Sequence, residues 1–264
     1  MQADFLAAIN WEAPWLAPYR ALGSQLAEAT DWRSTLNALA AQRDLRNFRG
    51  QPLRFIPQES LPQGTPYEAH IGATGLVPTR DNLHDFFNAL VWLHFPLTKA
   101  KLNALQFAQL EQDRKGQAGS YRVGPRRGAV RDAATIFDEN CALVLYQDRS
   151  LVDGLIAHEW TEVFLQRREA FLQQCRIILF GHALMEKLVH PYPAITAHCL
   201  PLALNTADDT MQALDCRVPS SLSESLSTRC FFPLPVFGIP GWHPGQDSAF
   251  YSNQTVFRPA RKQI

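Results

Sequence analysis

The chain has 264 residues, 25 Lys and Arg against 25 Asp and Glu, and therefore a formal net charge of zero at pH 7. That balance argues against a general binder of duplex nucleic acid or of membrane surfaces, which needs a basic excess to neutralise phosphates. With 46% hydrophobic and 11% aromatic residues, the chain can fill a core, so wholesale disorder is excluded.

A domain of this length buries roughly 75% of its unfolded surface. No low-complexity tract or charged linker divides the sequence, so a single domain is expected over 1–264. Within it fall a helical N-terminal segment (1–50), a core (51–230) and a C-terminal strap (231–264). The five cysteines (Cys141, Cys175, Cys199, Cys216, Cys230) are odd in number, widely spaced and without a CxxC pair. That pattern predicts neither a disulfide framework nor a zinc ribbon, and reduced thiols fit a cytoplasmic protein. Residues 1–15 carry Asp4 and Glu12 and no basic stretch, so no secretory leader is expected. The most apolar runs, 88–97 and 231–242, are interrupted by His94 and Pro96 and by Pro233, Pro235 and Pro240. Both fall short of the ~20 residues a membrane helix needs. Twenty of the 25 basic residues are Arg, read either as the codon bias of a GC-rich genome or as planar, bidentate contacts to carboxylate or phosphate.

In chain order, 15–27 and 32–41 show apolar residues at helical spacing, with Asp31 as N-cap of the second. Residues 53–56 read as extended, and 58–79, rich in Pro, Gly and Thr, as an ordered surface loop. The clearest helix is 81–95: Asp81 caps it, His84, Phe87, Asn88, Val91 and Trp92 follow at 3–4 spacing, and Pro96 stops it. The next helix, 97–115, turns Leu102, Leu105, Phe107 and Leu110 inward, and the short link predicts an antiparallel helical hairpin. Runs 133–137 and 142–146 read as a β-hairpin around Asp138-Glu139-Asn140. Helices are expected at 150–157, 159–173 and 182–189, with a short one at 208–214; strands are expected at 176–180 and 195–204. Residues 231–259, dense in Pro, Gly and aromatics, read as extended. The fold class is α+β, predominantly helical, with helical hairpins packed on a small mixed sheet and an extended Pro/Gly-rich C-terminal strap.

Five segments carry a family likeness: VPTRDNLHDFFNALVWLHFPLTKAKLNALQ (77–106), FDEN (137–140), FGHALMEKL (180–188), PLPVFGIPGW (233–242) and FYSNQTVFRP (250–259). Together they resemble the bacterial domain-of-unknown-function family numbered 3025, from about residue 55 to 259. The resemblance implies kinship and brings no established activity. It also marks two departures: Cys141 stands where the family pattern has glycine, and Ser252-Asn253 where acidic residues are common. Neither position is therefore given a glycine-only or acidic role.

Four constellations carry candidate chemistry. On the 81–95 helix, His84 and Asn88 share a face, Asp85 lies about 100° round, and Arg80 and Asn82 sit at its start. Adjacent His and Asp ligate metals in phosphohydrolases, although that arrangement also needs an earlier His, and His70 falls in the expected loop. The pair His182 and Glu186 share a helical face just after a strand-to-helix turn, and can give two metal ligands or a base with its orienting partner. The run His158-Glu159-x-x-Glu162 lacks the second His of HExxH and reads as a solvated helix start. The run FDEN is one residue from the FDxD of haloacid-dehalogenase-type phosphatases, but Asn140 cannot act as the acid, no matching later lysine is evident, and Asp208-Asp209 comes too soon. Its carboxylates are hairpin-turn groups, or point into a shared site.

Lys99, Lys101, Arg122, Arg126, Arg127 and Arg131 form the local basic elements, either a solvated loop or a grip on a phosphate-bearing ligand. No GxSxG elbow, Walker loop or GxGxxG is present, so ATP and dinucleotide chemistry are not expected. The C-terminal run is either a strap over the core or a lid, with Trp242 and His243 at its mouth.

The resulting expectation is a cytoplasmic metal-assisted hydrolase acting on a small phosphate-bearing substrate. It assigns His84, His182 and Glu186 to a divalent metal, Asp85, Asp138 and Glu139 to catalysis, and Arg80, Asn88, Lys99, Arg131 and Trp242 to substrate binding. The alternative is a non-catalytic binding or scaffold module in which these groups knit helices together. Mutual placement of His84 and His182 discriminates the two.

Overall fold

The structure is a computed structural model that describes residues 4–117, 125–204 and 210–260. A 3₁₀ turn, Pro14–Tyr19, leads into α1 (Arg20–Ala27) and α2 (Trp32–Gln42). Asp31 caps α2 as its sequence predicts, its carboxylate accepting from the Ser34 amide at 3.0 Å. Then come β1 (Arg54–Pro57), α3 (Tyr67–Thr74) and β2 (Leu76–Thr79). The expected loop at 58–79 is thus a crossover: β1 and β2 pair in parallel, which a tight turn cannot achieve. Gly75 ends α3 at φ 73°, and a Cβ there would lie 2.5 Å from the Pro52 carbonyl oxygen, so glycine is needed for both conformation and space.

Helix α4 spans Leu83–His94 and α5 spans Pro96–Gln117. The α4 cap is Asn82, which accepts from the Asp85 amide at 2.8 Å, and not Asp81. Asp81 instead turns back to α2, accepting from Trp32 Nε1 at 2.9 Å and Arg33 Nη2 at 2.7 Å. Only Phe95 separates α4 from α5, fewer than the two to five residues an antiparallel hairpin requires. Helix α5 accordingly packs on α3 and α6 (Pro125–Asn140) and on α10 (Met211–Ser221). Pro96 starts α5 rather than merely stopping α4, a first-turn position where its missing N–H costs nothing. The amides of Leu97 and Thr98 are capped by Asp215, both at 2.8 Å, with Thr98 Oγ1 at 2.7 Å.

The predicted hairpin at 133–146 does not form. Residues 133–137 belong to α6, and only Cys141–Tyr146 is a strand, β3. Ala133, Ala134, Phe137 and Asp138 are buried while Arg131, Asp132 and Thr135 are exposed, a helical rather than alternating spacing. After α7 (Arg149–Ile156), residues 162–166 make a π-turn before α8 (Arg168–Gln174). Strand β4 (Cys175–Leu179), α9 (His182–Lys187), β5 (Thr196–Ala203) and, after α10, β6 (Phe232–Pro235) complete the main sheet. Its order is β4-β3-β5-β6. It is mixed, β3 running parallel to β5 and antiparallel to β4.

The C-terminal region is not a continuous extended strap: β6 gives way to a 3₁₀ turn at Val236–Gly238 and a short helix, α11 (Ser248–Tyr251). One apolar cluster runs through the molecule, from Leu16 and Tyr19 through Phe86, Phe87 and Phe95 to Phe137, Phe180 and Leu234. The Tyr19 hydroxyl donates to the Leu179 carbonyl, tying the N-terminal turn to β4. No described helix is long and apolar enough to cross a membrane.

Candidate metal centre

Three element ends meet at one edge of the core: the start of α4, the end of α6 and the start of α9. Their approach is set by Gly181, the residue before α9. A Cβ at Gly181 would come within 2.5–2.6 Å of Asn140 and Cys141 backbone atoms, so only glycine lets the β4–α9 turn touch the α6–β3 junction. The Phe180 and Gly181 amides both donate to the Cys141 carbonyl, at 2.9 and 2.8 Å. That contact holds His182 opposite Glu139.

At this edge His84 Nε2 lies 3.1 Å from His182 Nε2, and His182 Nε2 lies 3.4 Å from Glu139 Oε2. The three ligating atoms are all within 4.8 Å of one another. On its other side, His84 Nδ1 is 2.9 Å from Glu186 Oε2. A carboxylate only accepts, so Nδ1 is the donor in this contact, and in the neutral tautomer that makes it Nε2 is left as the acceptor. Glu186, expected as a metal ligand, lies behind His84 on its Nδ1 side, and Glu139, expected among the catalytic groups, brings the carboxylate oxygen that converges with the two imidazoles.

Access is one-sided. The His182 side chain is 4% exposed, whereas His84, Glu139 and Glu186 keep 30, 39 and 40%. Burial pushes the His182 imidazole down to about 3, against the opposing pull of Asp138, so the ring is neutral and able to coordinate. Burial, then the neighbouring Asp138, raises the Glu139 carboxyl.

Beneath the imidazoles, Lys99 Nζ meets Asp138 Oδ1 at 2.5 Å, with both side chains nearly buried. Burial alone would raise the Asp138 carboxyl, but Lys99 and the two imidazoles hold it below its ordinary value. Asp138 Oδ1 also faces His182 Nδ1 at 3.9 Å. The Lys99 ammonium lies 5.5 Å from the Trp92 ring centroid, adding a cation–π contact. Lys99, expected among the substrate-binding groups, is placed as the buried counter-ion of Asp138.

Asp85 is buried at the start of α4, with Oδ2 accepting from the Arg80 amide at 2.6 Å and both oxygens receiving its guanidinium at 3.0 Å. It braces the α4 entry, so the carboxylate expected among the catalytic groups has both oxygens engaged by Arg80. Asn88 turns inward, its Nδ2 donating to the Tyr67 hydroxyl at 3.1 Å while its Oδ1 is buried without a partner. Arg131 is exposed on α6. Trp242 packs on Trp15 at 5.9 Å, and His243 on Phe237 and Phe250. The ring contacts of this pair are thus with other aromatics and not with the imidazoles of His84 or His182. Arg126 and Arg127 lie in α6, but their side chains, like Arg122 and Asp208-Asp209, fall outside the described residues.

The sequence reading missed α3 as a contributor. Glu68 accepts from Asn103 Nδ2 at 2.6 Å, and burial, with Asp138 nearby, raises its carboxyl to about 7. His70, expected on a loop, is buried in α3. A helical 67–74 spacing was detectable in Tyr67, His70 and Ile71, masked by the flanking Pro and Gly residues.

Residues 53–261 match the family described as a protein of unknown function, DUF3025. The chain belongs to that family. No curated protein and no solved structure matches it. The DUF3025 match takes in every residue of the cluster, His84, Glu139, His182 and Glu186, and leaves α1 and α2 outside.

Proposed function

We propose that this DUF3025 protein is a metal-assisted hydrolase whose centre is His84 Nε2, His182 Nε2 and Glu139. The observation that carries the reading is the spacing of the convergent atoms, 3.1 and 3.4 Å. Ligands on a tetrahedral zinc at bonds of 2.0–2.1 Å lie about 3.3 Å apart. Two His and one carboxylate leave a fourth position open, the composition of a catalytic rather than a structural site. The open side coincides with the partly exposed faces of His84 and Glu139.

A bound divalent ion supplies a water of lowered pKa and polarises the substrate oxygen. The chain's own contributions are separate. His182, neutral and buried, keeps its lone pair directed at the centre. Glu139 neutralises part of the ion's charge. Lys99 prevents Asp138 from adding a second unbalanced negative charge beneath the site. Arg80 is the cation available for a small phosphate-bearing substrate. Although bonded to Asp85, its side chain is 56% exposed, and Asp85 first, then Glu186 among weaker influences, favours its charge. The five free cysteines support a reducing compartment, and the cytoplasm is the location we infer.

A second reading has its own support. His182 Nε2–H can donate to His84 Nε2 while His84 Nδ1–H donates to Glu186, closing a hydrogen-bond chain without any ion, as in a scaffold module. Metal titration separates the two. The hydrolase reading expects one equivalent of zinc or manganese per chain, lost in His84→Ala and in His182→Ala, with phosphatase activity on a generic aryl phosphate. No stoichiometric metal in the wild-type protein overturns it in favour of the scaffold.

A further inference from the structure

We infer that Glu186 is a positioning residue that sets the tautomer and ring orientation of His84, so that α9 alone supplies one metal ligand and the orienting partner of another. The inference rests on the metal-centre reading above. His182 and Glu186 are four apart on α9, hence on the same face. They grip the His84 imidazole from both of its nitrogens, Nε2 at 3.1 Å and Nδ1 at 2.9 Å. Imidazole ligands ordinarily donate their second N–H to a carboxylate or carbonyl, which fixes the metal-facing nitrogen and raises its basicity.

The two imidazoles of the cluster are backed unequally. His84 has a carboxylate at hydrogen-bonding distance, whereas the nearest carboxylate oxygen to His182 Nδ1, on Asp138, is 3.9 Å away and already engaged by Lys99. His84 also lies at the more open side of the cluster, with 30% of its side chain exposed against 4% for His182. The ring with more freedom is the one given the direct brace. Burial and the Asp138 backbone hold His182; the Glu186 carboxylate holds His84. Glu186 cannot serve equally well as a ligand while its Oε2 receives Nδ1–H, because Nδ1 and Nε2 point away from each other across the ring.

The test compares zinc affinity, by competition with a chromophoric chelator, in wild type, Glu186→Ala, Glu186→Gln and Glu139→Ala. Alongside it, long-range ¹⁵N–¹H NMR of the metal-free proteins reports the His84 tautomer. Positioning predicts a 10–100-fold weaker zinc affinity for Glu186→Ala, with a smaller loss for Glu186→Gln, whose amide oxygen still accepts. It also predicts that His84 departs from the Nδ1–H form in Glu186→Ala, while Glu139→Ala loses zinc outright with the tautomer retained. Thermal melting of the metal-free variants checks that folding is kept, and Glu186→Gln serves if Glu186→Ala does not fold. Unchanged zinc affinity in Glu186→Ala and Glu186→Gln, with wild type binding normally, overturns the positioning role and leaves the metal centre standing. Loss as complete as in Glu139→Ala makes Glu186 a ligand, and also overturns it. If wild-type protein takes up no zinc, manganese, cobalt or iron(II), the metal centre fails and the inference falls with it.

Discussion

Two segments carry a histidine with a carboxylate four residues later, His182/Glu186 and His158/Glu162, and the fold treats them oppositely. The first pair sits inside α9 and converges with His84 from α4 and Glu139 from α6. The second never forms a helical face: His158 has φ 61°, outside any helix, and Glu162 opens the π-turn. His158 Nδ1 bonds the Arg258 carbonyl at 2.9 Å, and its ring lies 4.8 Å from that of Trp160. An open pocket of about 720 Å³ adjoins His158, Trp160 and Arg258, yet no second imidazole lines it. Spacing within one segment does not make a site. A third group has to be delivered by tertiary structure, as Glu139 and His84 are to His182, and room beside a histidine is not a substitute.

The comparison can be broken most forcefully beneath the first pair. Lys99→Met or Asp138→Asn leaves one buried charge without its partner and is expected to cost about 3–5 kcal/mol, read as a lower urea midpoint at unchanged slope. A change below ~1 kcal/mol would mean that the pair is no better than a surface bridge.

A pH series sharpens the same region. The Glu68 carboxyl rises from 4.5 to about 7 on folding, so the folded state favours its protonated form. Its contribution is complete below pH 4.5 and is lost as pH climbs towards 7, a decline of about 2 kcal/mol after allowance for solvent. Glu68→Gln should flatten that slope; an equal slope in both proteins would assign it to other groups.

At the second pair the expected effects are small. His158→Gly relieves a left-handed non-glycine backbone but loses the ring contact with Trp160 and the bond to Arg258, for a net change within about 1 kcal/mol. Its zinc stoichiometry should equal wild type, while His182→Ala takes up none. Equal loss in both variants would erase the distinction between the two pairs.

How far the sequence reveals this arrangement depends on what each feature requires. Helix α4 is legible because its apolar residues repeat at helical spacing, and His84 with His182 could be nominated from residue type and element ends. Which of Glu139 and Glu186 converges with the two imidazoles could not. It depends on the close approach of the α9 start to the α6 end, which Gly181 permits beside Asn140. The 133–137 run misled because five apolar and β-branched residues suit a strand locally; the preceding turns of α6 override that preference. The sequence pattern points to Asp81 as the cap of α4, but the cap is Asn82, because Trp32 and Arg33, some 50 positions earlier, claim Asp81. Long-range partners of this kind leave no trace in a local pattern.

The Asp215 cap on α5 has a consequence for the order of events during synthesis. Leu97 and its capping carboxylate are 118 positions apart, so at 5–20 residues per second the ribosome makes the cap roughly 6–24 s after the helix start it completes. Until then the first amides of α5 have only water. Lys99 lies one residue beyond Thr98 and reaches Asp138 from this same turn. The nascent chain therefore carries its candidate metal ligands before the helix that braces their floor has been pinned. A chain truncated before 210 should hold α5 less firmly at its start, even with every ligand present.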